Sequence, residues 1–129
     1  MKLRNHLIQL RRFELQEKNR KVSDIEYMIR EFEQMAADLD RQVHAEEERT
    51  GIRDPQHFSY STFAKSARQR RDNLKNSVTD LHAQLEAAVQ AREAAELELA
   101  KVQSPADRET NDRAAPRRVD APADSLTMR

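Results

Sequence analysis

The side chains that could carry acid–base or metal chemistry in this chain are its histidines and carboxylates. No two of the four histidines lie three or four residues apart, as two metal ligands on one helix face would: His6, His44, His57 and His82. Seven carboxylates crowd residues 31–48, but acid–base catalysis needs a desolvated site that separates their pKa values, so this segment is predicted to be a solvated face. With one glycine, a phosphate-binding loop is excluded. We therefore expect a protein that is not an enzyme and that needs no metal or cofactor.

Aromatic and basic side chains cluster near the middle of the chain. Phe63, Ala67 and Arg70 follow i, i+4, i+7 spacing, and Tyr60 lies one turn earlier. Aromatic rings and arginines carry much of the binding energy of protein interfaces, so this group is predicted to be a protein-contact patch. In a simpler interpretation, Phe58, Tyr60 and Phe63 only cover the end of a hairpin.

Charge is unevenly distributed, although the formal net charge is zero. Residues 1–21 carry a net charge of +5, which predicts either a solvated face or a docking surface for an acidic partner. The candidate contact residues at this end are Arg4, Arg11, Arg12 and Lys18. A basic run at 68–71 raises a nucleic-acid hypothesis, but residues 31–48 carry −6 and would lie alongside, so no nucleic-acid partner is expected.

A stripe of apolar residues with strict 3-4 spacing organises the chain. An average spacing of 3.5 residues is typical of the a and d positions of a coiled coil. The stripe comprises Val22, Ile25, Ile29, Phe32, Ala36, Leu39 and Val43. Nearer the N-terminus two incomplete faces overlap, one through Leu3, Leu7 and Leu10 and the other through Ile8, Arg11 and Leu15.

A second stripe with the same spacing follows the turn that Gly51 and Pro55 predict. Its strongest members are Leu74, Val78, Leu81, Leu85 and Ala88. Folding the chain at Pro55 sets Ile29 opposite Leu81 and Leu39 opposite Arg71, so the partner helix is predicted to lie in the same chain.

The predicted fold class is therefore all-α, a long antiparallel two-helix coiled-coil hairpin over residues 1–103 with a disordered C-terminal tail. The expected helices span about 3–50 and 59–103, joined by a turn at about 51–58. Residues 104–129 contain three prolines and few large apolar groups, which predicts disorder. No apolar run reaches the length of a membrane span, and the absence of cysteine fits a reducing compartment, so the chain is expected to be soluble and cytoplasmic.

Two motifs resemble the FliJ family of flagellar export proteins, in its alphaproteobacterial form. One is Leu7-Ile8-x-Leu10-x-Arg12-Phe13, and the more specific one is Tyr60-x-x-Phe63-Ala64-Lys65 leading to Gln69-Arg70-Arg71-Asp72-Asn73-Leu74. The resemblance covers about residues 1–103 and implies an antiparallel two-helix coiled coil in the flagellar type III protein export apparatus.

The resemblance also implies partners and sites. Members of this family associate with the export ATPase hexamer as a stalk, link it to the cytosolic domain of the membrane export gate, and interact with export chaperones. The gate-docking positions map onto Phe63, Ala67 and Arg70, with Tyr60 adjacent, and the ATPase contacts are expected at the basic end. Such a protein would be cytoplasmic and touch the inner membrane at the flagellar base only peripherally, through the gate. The alternative from periodicity alone is a generic scaffold or dimerising coiled-coil adaptor.

Overall fold

The computed structural model describes residues 2–103, which form two long α-helices. Helix α1 spans Lys2–Thr50 and helix α2 spans Thr62–Gln103, with no β-strand among these residues. The predicted all-α fold is confirmed. The predicted tail, 104–129, lies outside the described residues.

The turn between the helices is held by backbone hydrogen bonds and by one glycine. Gly51 has a φ of +76°, the left-handed conformation that favours glycine after a helix, and its N–H donates to the Glu47 carbonyl at 2.8 Å. Two turns follow, in which His57 N donates to the Asp54 carbonyl and Tyr60 N to the His57 carbonyl, both at 3.0 Å.

Helix α2 was expected to begin at about residue 59, with Ser59 or Ser61 as its cap, and it begins at Thr62. The Ser61 hydroxyl accepts a hydrogen bond from Ala64 N at 3.1 Å, which makes Ser61 the N-cap. Ser59 is not available for this role because its backbone belongs to the preceding turn, where its N–H donates to His57 Nδ1 at 3.0 Å. The connection therefore runs from Gly51 to Ser61, three residues longer than predicted.

The chain divides into two compact units, and the one that contains the turn spans Lys18–Ala91. Its helices run antiparallel and form an apolar core in two clusters. The first cluster contains Val22, Ile25, Ile29, Leu81 and Ala88, with Phe32, Val78 and Leu85 packed against it. The second contains Leu39, Val43 and Ala67, with Leu74 against it. Ala36 is buried as well.

Arg71 shows how a charged residue is accommodated beside this core. It was predicted to lie opposite Leu39, which is buried, and Arg71 itself is half-buried. Its Nη1 donates to Asp40 Oδ1 at 2.7 Å and its Nη2 to Asp72 Oδ1 at 2.9 Å. The hydrogen bond from Arg71 lowers the pKa of the Asp40 carboxyl.

The second unit, in its described part, comprises residues 2–17 and 92–103. No side chain of those residues is fully buried; Ile8, Leu15, Leu99 and Val102 are half-buried. Of the two overlapping faces near the N-terminus, this unit covers the one through Ile8 and Leu15. The face through the leucines at 3, 7 and 10 stays exposed.

Candidate protein-docking site at the start of the second helix

The four residues predicted to form one contact patch are separated by burial. Phe63 has 56% of its surface exposed and Arg70 is exposed, seven residues further along the same helix face. Tyr60 and Ala67 are buried in the hairpin. A surface available to a partner therefore contains Phe63 and Arg70 but not Tyr60 or Ala67.

Tyr60 is buried because its phenol is part of a hydrogen bond between the two ends of the turn. Its hydroxyl donates to Glu47 Oε2 at 2.7 Å, and both residues are buried. Burial, and then the hydrogen bond to the Glu47 carboxylate, raise the pKa of the Tyr60 phenol. Ala64, with no exposed surface, lies one helical turn beyond.

Glu47 corrects the expectation that residues 31–48 are uniformly a solvated acidic face. It follows Val43 by four residues, so it continues the buried side of α1 by one more turn. A glutamate in that position needs a polar partner, and the only tyrosine near the turn in sequence, Tyr60, provides it. The four-residue spacing from Val43 was the signal in the sequence that Glu47 is buried, but this spacing did not identify Tyr60 as its hydrogen-bond partner.

Glu46 connects the end of α1 to the cap of α2. Its Oε2 accepts a hydrogen bond from the Ser61 hydroxyl at 2.6 Å, and Arg49 donates to the same carboxylate at 2.8 and 2.9 Å. These bonds, that from Arg49 first, lower the pKa of Glu46 to about 2. Glu46 and Glu47 thus hold the turn from the α1 side, one through Ser61 and the other through Tyr60.

The two phenylalanines near the turn remain exposed, so only Tyr60 of the three aromatic residues covers the end of the hairpin. Phe58 is almost fully exposed and stacks on His57, with ring centroids 4.8 Å apart. Lys65 and Arg70 are exposed near Phe63 in sequence. Phe63 and Arg70, seven residues apart on one helix face, thus expose an apolar ring and a cation, which suits a partner with an apolar pocket and acidic residues around it.

The four basic residues predicted at the N-terminal end also fall into two groups. Arg4 and Arg11 are half-buried and bonded within their unit: Arg4 Nη2 lies 2.5 Å from the Val102 carbonyl, and Arg11 pairs with Glu14 at 3.0 Å. The Nε of Arg11 is buried without a hydrogen-bond partner among the described residues. Arg12 and Lys18 are exposed. Within the unit of residues 2–17 and 92–103, a partner would therefore meet Arg12 first.

Within residues 2–103, no group of three or more potential ligand side chains is arranged to hold a metal ion. Neither described helix is long and apolar enough to cross a bilayer.

A shallow open groove lies between the helices and is lined by Glu33, Ala36, Asp40, Lys75 and Val78 among others. Its charged lining residues are Glu33, Asp40 and Lys75.

The twelve residues predicted at the coiled-coil core all lie in the Lys18–Ala91 unit, eight of them buried and four half-buried. The site residues are thus positioned by a helix pair whose core the 3-4 pattern had located.

In comparisons with known proteins, no family model, no curated protein and no solved structure matches this chain.

Proposed function

We propose that this protein is a non-enzymatic, stalk-like component of the flagellar type III protein export apparatus. In this role it associates with the export ATPase hexamer and links it to the cytosolic domain of the membrane export gate, aiding export of flagellar subunits. The proposal places the protein in the cytoplasm, at the inner membrane only through the gate.

The observation that carries the proposal is the exposed Phe63 at the start of α2. It belongs to the motif on which the resemblance to FliJ proteins depends, and 56% of its surface is exposed although it lies two residues after the Ser61 cap of α2. An exposed ring on a rigid helix loses little conformational freedom on binding, which favours its use as an anchor. Arg70 adds an exposed cation seven residues further along the same face of the helix.

The proposed gate contact contains fewer residues than the motif alone implied. Tyr60 and Ala67 are buried, so their role is to stabilise the hairpin near the site. Ala67 belongs to the core cluster with Leu39 and Val43. The Tyr60 hydroxyl donates a hydrogen bond to Glu47. Phe63 and Arg70 are the residues left to touch the gate.

Phe63→Ala is expected to weaken binding to the purified cytosolic domain of the gate by about thirtyfold or more, the effect of losing a buried aromatic anchor worth about 2 kcal/mol. Isothermal titration calorimetry measures the affinity, and circular dichroism should show unchanged helix content because the ring packs little within the chain. Swimming motility should fall in a strain carrying the variant.

Tyr27→Ala is the matched control, since Tyr27 is an aromatic residue of α1 with nearly the same exposure, 57%. It should bind the gate domain with the affinity of the unchanged protein. Equal affinity of the Phe63→Ala and Tyr27→Ala variants for the gate domain would remove Phe63 from the contact and with it the main support for the proposal.

A further inference from the structure

Near its start, α1 carries a patch of large apolar side chains that the described residues leave exposed. Its members are Leu3, Leu7, Leu10 and Phe13, with exposed fractions between 37% and 81%. With 3.6 residues per turn, they occupy an arc of about 120° on one side of the helix. The exposed His6 lies in the same arc. A contiguous exposed group of large apolar side chains is typical of a binding site.

The shape of this apolar patch distinguishes a lipid surface from a partner helix. A coiled-coil seam is a narrow stripe with 3-4 spacing that continues over several turns. Here the spacing through Leu3, Leu7 and Leu10 would next reach residues 14 and 17, and both are glutamates. Phe13 lies beside that line and widens the patch. An apolar face that is wide but only about 15 Å long suits the interface of a bilayer better than a helical seam.

The charges that accompany the apolar patch are positive. In residues 2–17, four cations precede two carboxylates, and the first carboxylate, Glu14, pairs with Arg11 at 3.0 Å. Positive charge is therefore concentrated in the first three turns, where the patch lies. Lys2 and Arg12 are exposed there. Such a surface attracts anionic lipid headgroups, and it repels the same surface of a second copy.

The other carboxylates of this unit lie on α2, behind α1. Ile8, which is half-buried, lies about 160° around α1 from Leu10, so α2 covers the side away from the apolar patch. The described part of α2 in this unit contains two cations and three carboxylates, Glu93, Glu96 and Glu98. Residues 104–129 contain five cations and five carboxylates and add no net charge. The cationic apolar surface of the unit is thus the exposed side of α1.

We propose that this apolar patch binds the surface of an anionic lipid bilayer, with the start of α1 lying in the interface. The leucines and Phe13 enter the boundary between headgroups and acyl chains. Lys2, which is next to Phe13 around the helix, reaches the lipid phosphates, while Arg12 adds attraction over a longer distance. This contact goes beyond the proposed function, to which it adds direct binding of lipid.

The chain contains no tryptophan, so a single one placed in the apolar patch reports on that patch alone. In full-length Phe13→Trp, the emission should shift to shorter wavelength when mixed vesicles of phosphatidylglycerol and phosphatidylcholine are added. Brominated acyl chains in these vesicles should quench about half of the emission or more. Tyr27→Trp is the matched control, because Phe13 and Tyr27 are both 57% exposed on α1, and its emission should not change.

Two pairs of substitutions in the Phe13→Trp protein separate apolar burial from charge. Leu7→Ser with Leu10→Ser should weaken vesicle binding at least about tenfold. Met28→Ser with Met35→Ser, at α1 positions of similar exposure, should leave it unchanged.

Lys2→Gln with Arg12→Gln should weaken vesicle binding roughly twentyfold, since each basic residue near an anionic surface contributes about fivefold. Arg30→Gln with Lys75→Gln removes two exposed cations elsewhere and should have no effect. Circular dichroism of each variant should show unchanged helix content.

No change in Phe13→Trp emission on the anionic vesicles would overturn the proposal and leave a protein as the occupant of the patch. Equal affinity for vesicles of phosphatidylcholine alone would also overturn it, because charge would then not select the surface. An emission shift that grows with protein concentration in the absence of lipid would show instead that a second copy covers the patch. These samples contain neither the export ATPase nor the gate, so the lipid contact and the proposed function can fail separately.

Discussion

Ile29→Ala is expected to lower the free energy of unfolding by about 2–5 kcal/mol, the range for truncating a large aliphatic side chain in a packed core. Ile29 is only 6% exposed and lies in the cluster formed with Val22, Ile25, Leu81 and Ala88. Small side chains such as Ala88 cannot close the cavity that the missing atoms would leave. Urea denaturation followed by circular dichroism measures the change.

Met28→Ala is the control for this prediction, because Met28 is the preceding residue of the same helix and is 40% exposed. Its loss should cost less than about 1 kcal/mol, as is usual for surface substitutions away from the core. Losses of similar size for the two variants would mean that the helices of the Lys18–Ala91 unit do not pair through the Ile29 face in solution.

Tyr60→Ala is expected to destabilise the Lys18–Ala91 unit by about 3–5 kcal/mol, as for a buried aromatic side chain. The variant removes the ring that covers the end of the hairpin. It also removes the hydroxyl that donates a 2.7 Å hydrogen bond to Glu47. Tyr60→Phe separates the two effects. It keeps the ring and leaves the buried Glu47 carboxylate without this donor, so it should cost about 1–3 kcal/mol. Urea denaturation gives both values.

Tyr27→Ala and Tyr27→Phe are the matched substitutions at the exposed tyrosine of the chain. Both should change the free energy of unfolding by no more than about 0.5 kcal/mol. If Tyr60→Phe proved as harmless as Tyr27→Phe, the hydrogen bond to Glu47 would have no part in holding the turn.

The core of the hairpin could be predicted from the sequence because a single physical rule determines it. Apolar residues spaced by three and four occupy one side of a helix, and one partner stripe of the same period is enough to bury them. Ile29 was therefore placed opposite Leu81, and both lie in one cluster. The end of α1 could be predicted equally well, since a lone glycine after a long helix favours the left-handed conformation that Gly51 adopts.

The contact patch could not be predicted as well, because exposure near the turn depends on individual side-chain partners. Tyr60 has the residue type and spacing of a binding residue, yet its hydroxyl bonds to Glu47 and the ring is buried. Glu47 was assigned to a solvated face for its charge alone. The exact start of α2 could not be predicted because Ser59 and Ser61 are both suitable caps by type, and the hydrogen bond that the Ser61 hydroxyl accepts from Ala64 N is what identifies Ser61.

At the N-terminal end of α1 the periodicity was ambiguous in itself. Two apolar faces overlap there, and the pattern does not say which one α2 covers. The structure covers Ile8 and Leu15 and leaves Phe13 and the three leucines exposed. Arg4 and Arg11 are bonded within the unit of residues 2–17 and 92–103, so the exposed Arg12 is the better residue with which to test the proposed ATPase contact.

The proposed role as a stalk on the export ATPase is tested most directly by ATP hydrolysis. The cognate ATPase is titrated with the full chain, with Arg12→Glu, and with Arg30→Glu as the matched charge reversal at another exposed arginine of α1. We predict that the full chain and the Arg30→Glu variant stimulate hydrolysis equally. The Arg12→Glu variant should need about tenfold more protein for half-maximal stimulation, because the substitution replaces a cation at the proposed contact with a negative charge that an acidic partner surface repels. No stimulation by the full chain at any concentration would contradict the proposed function.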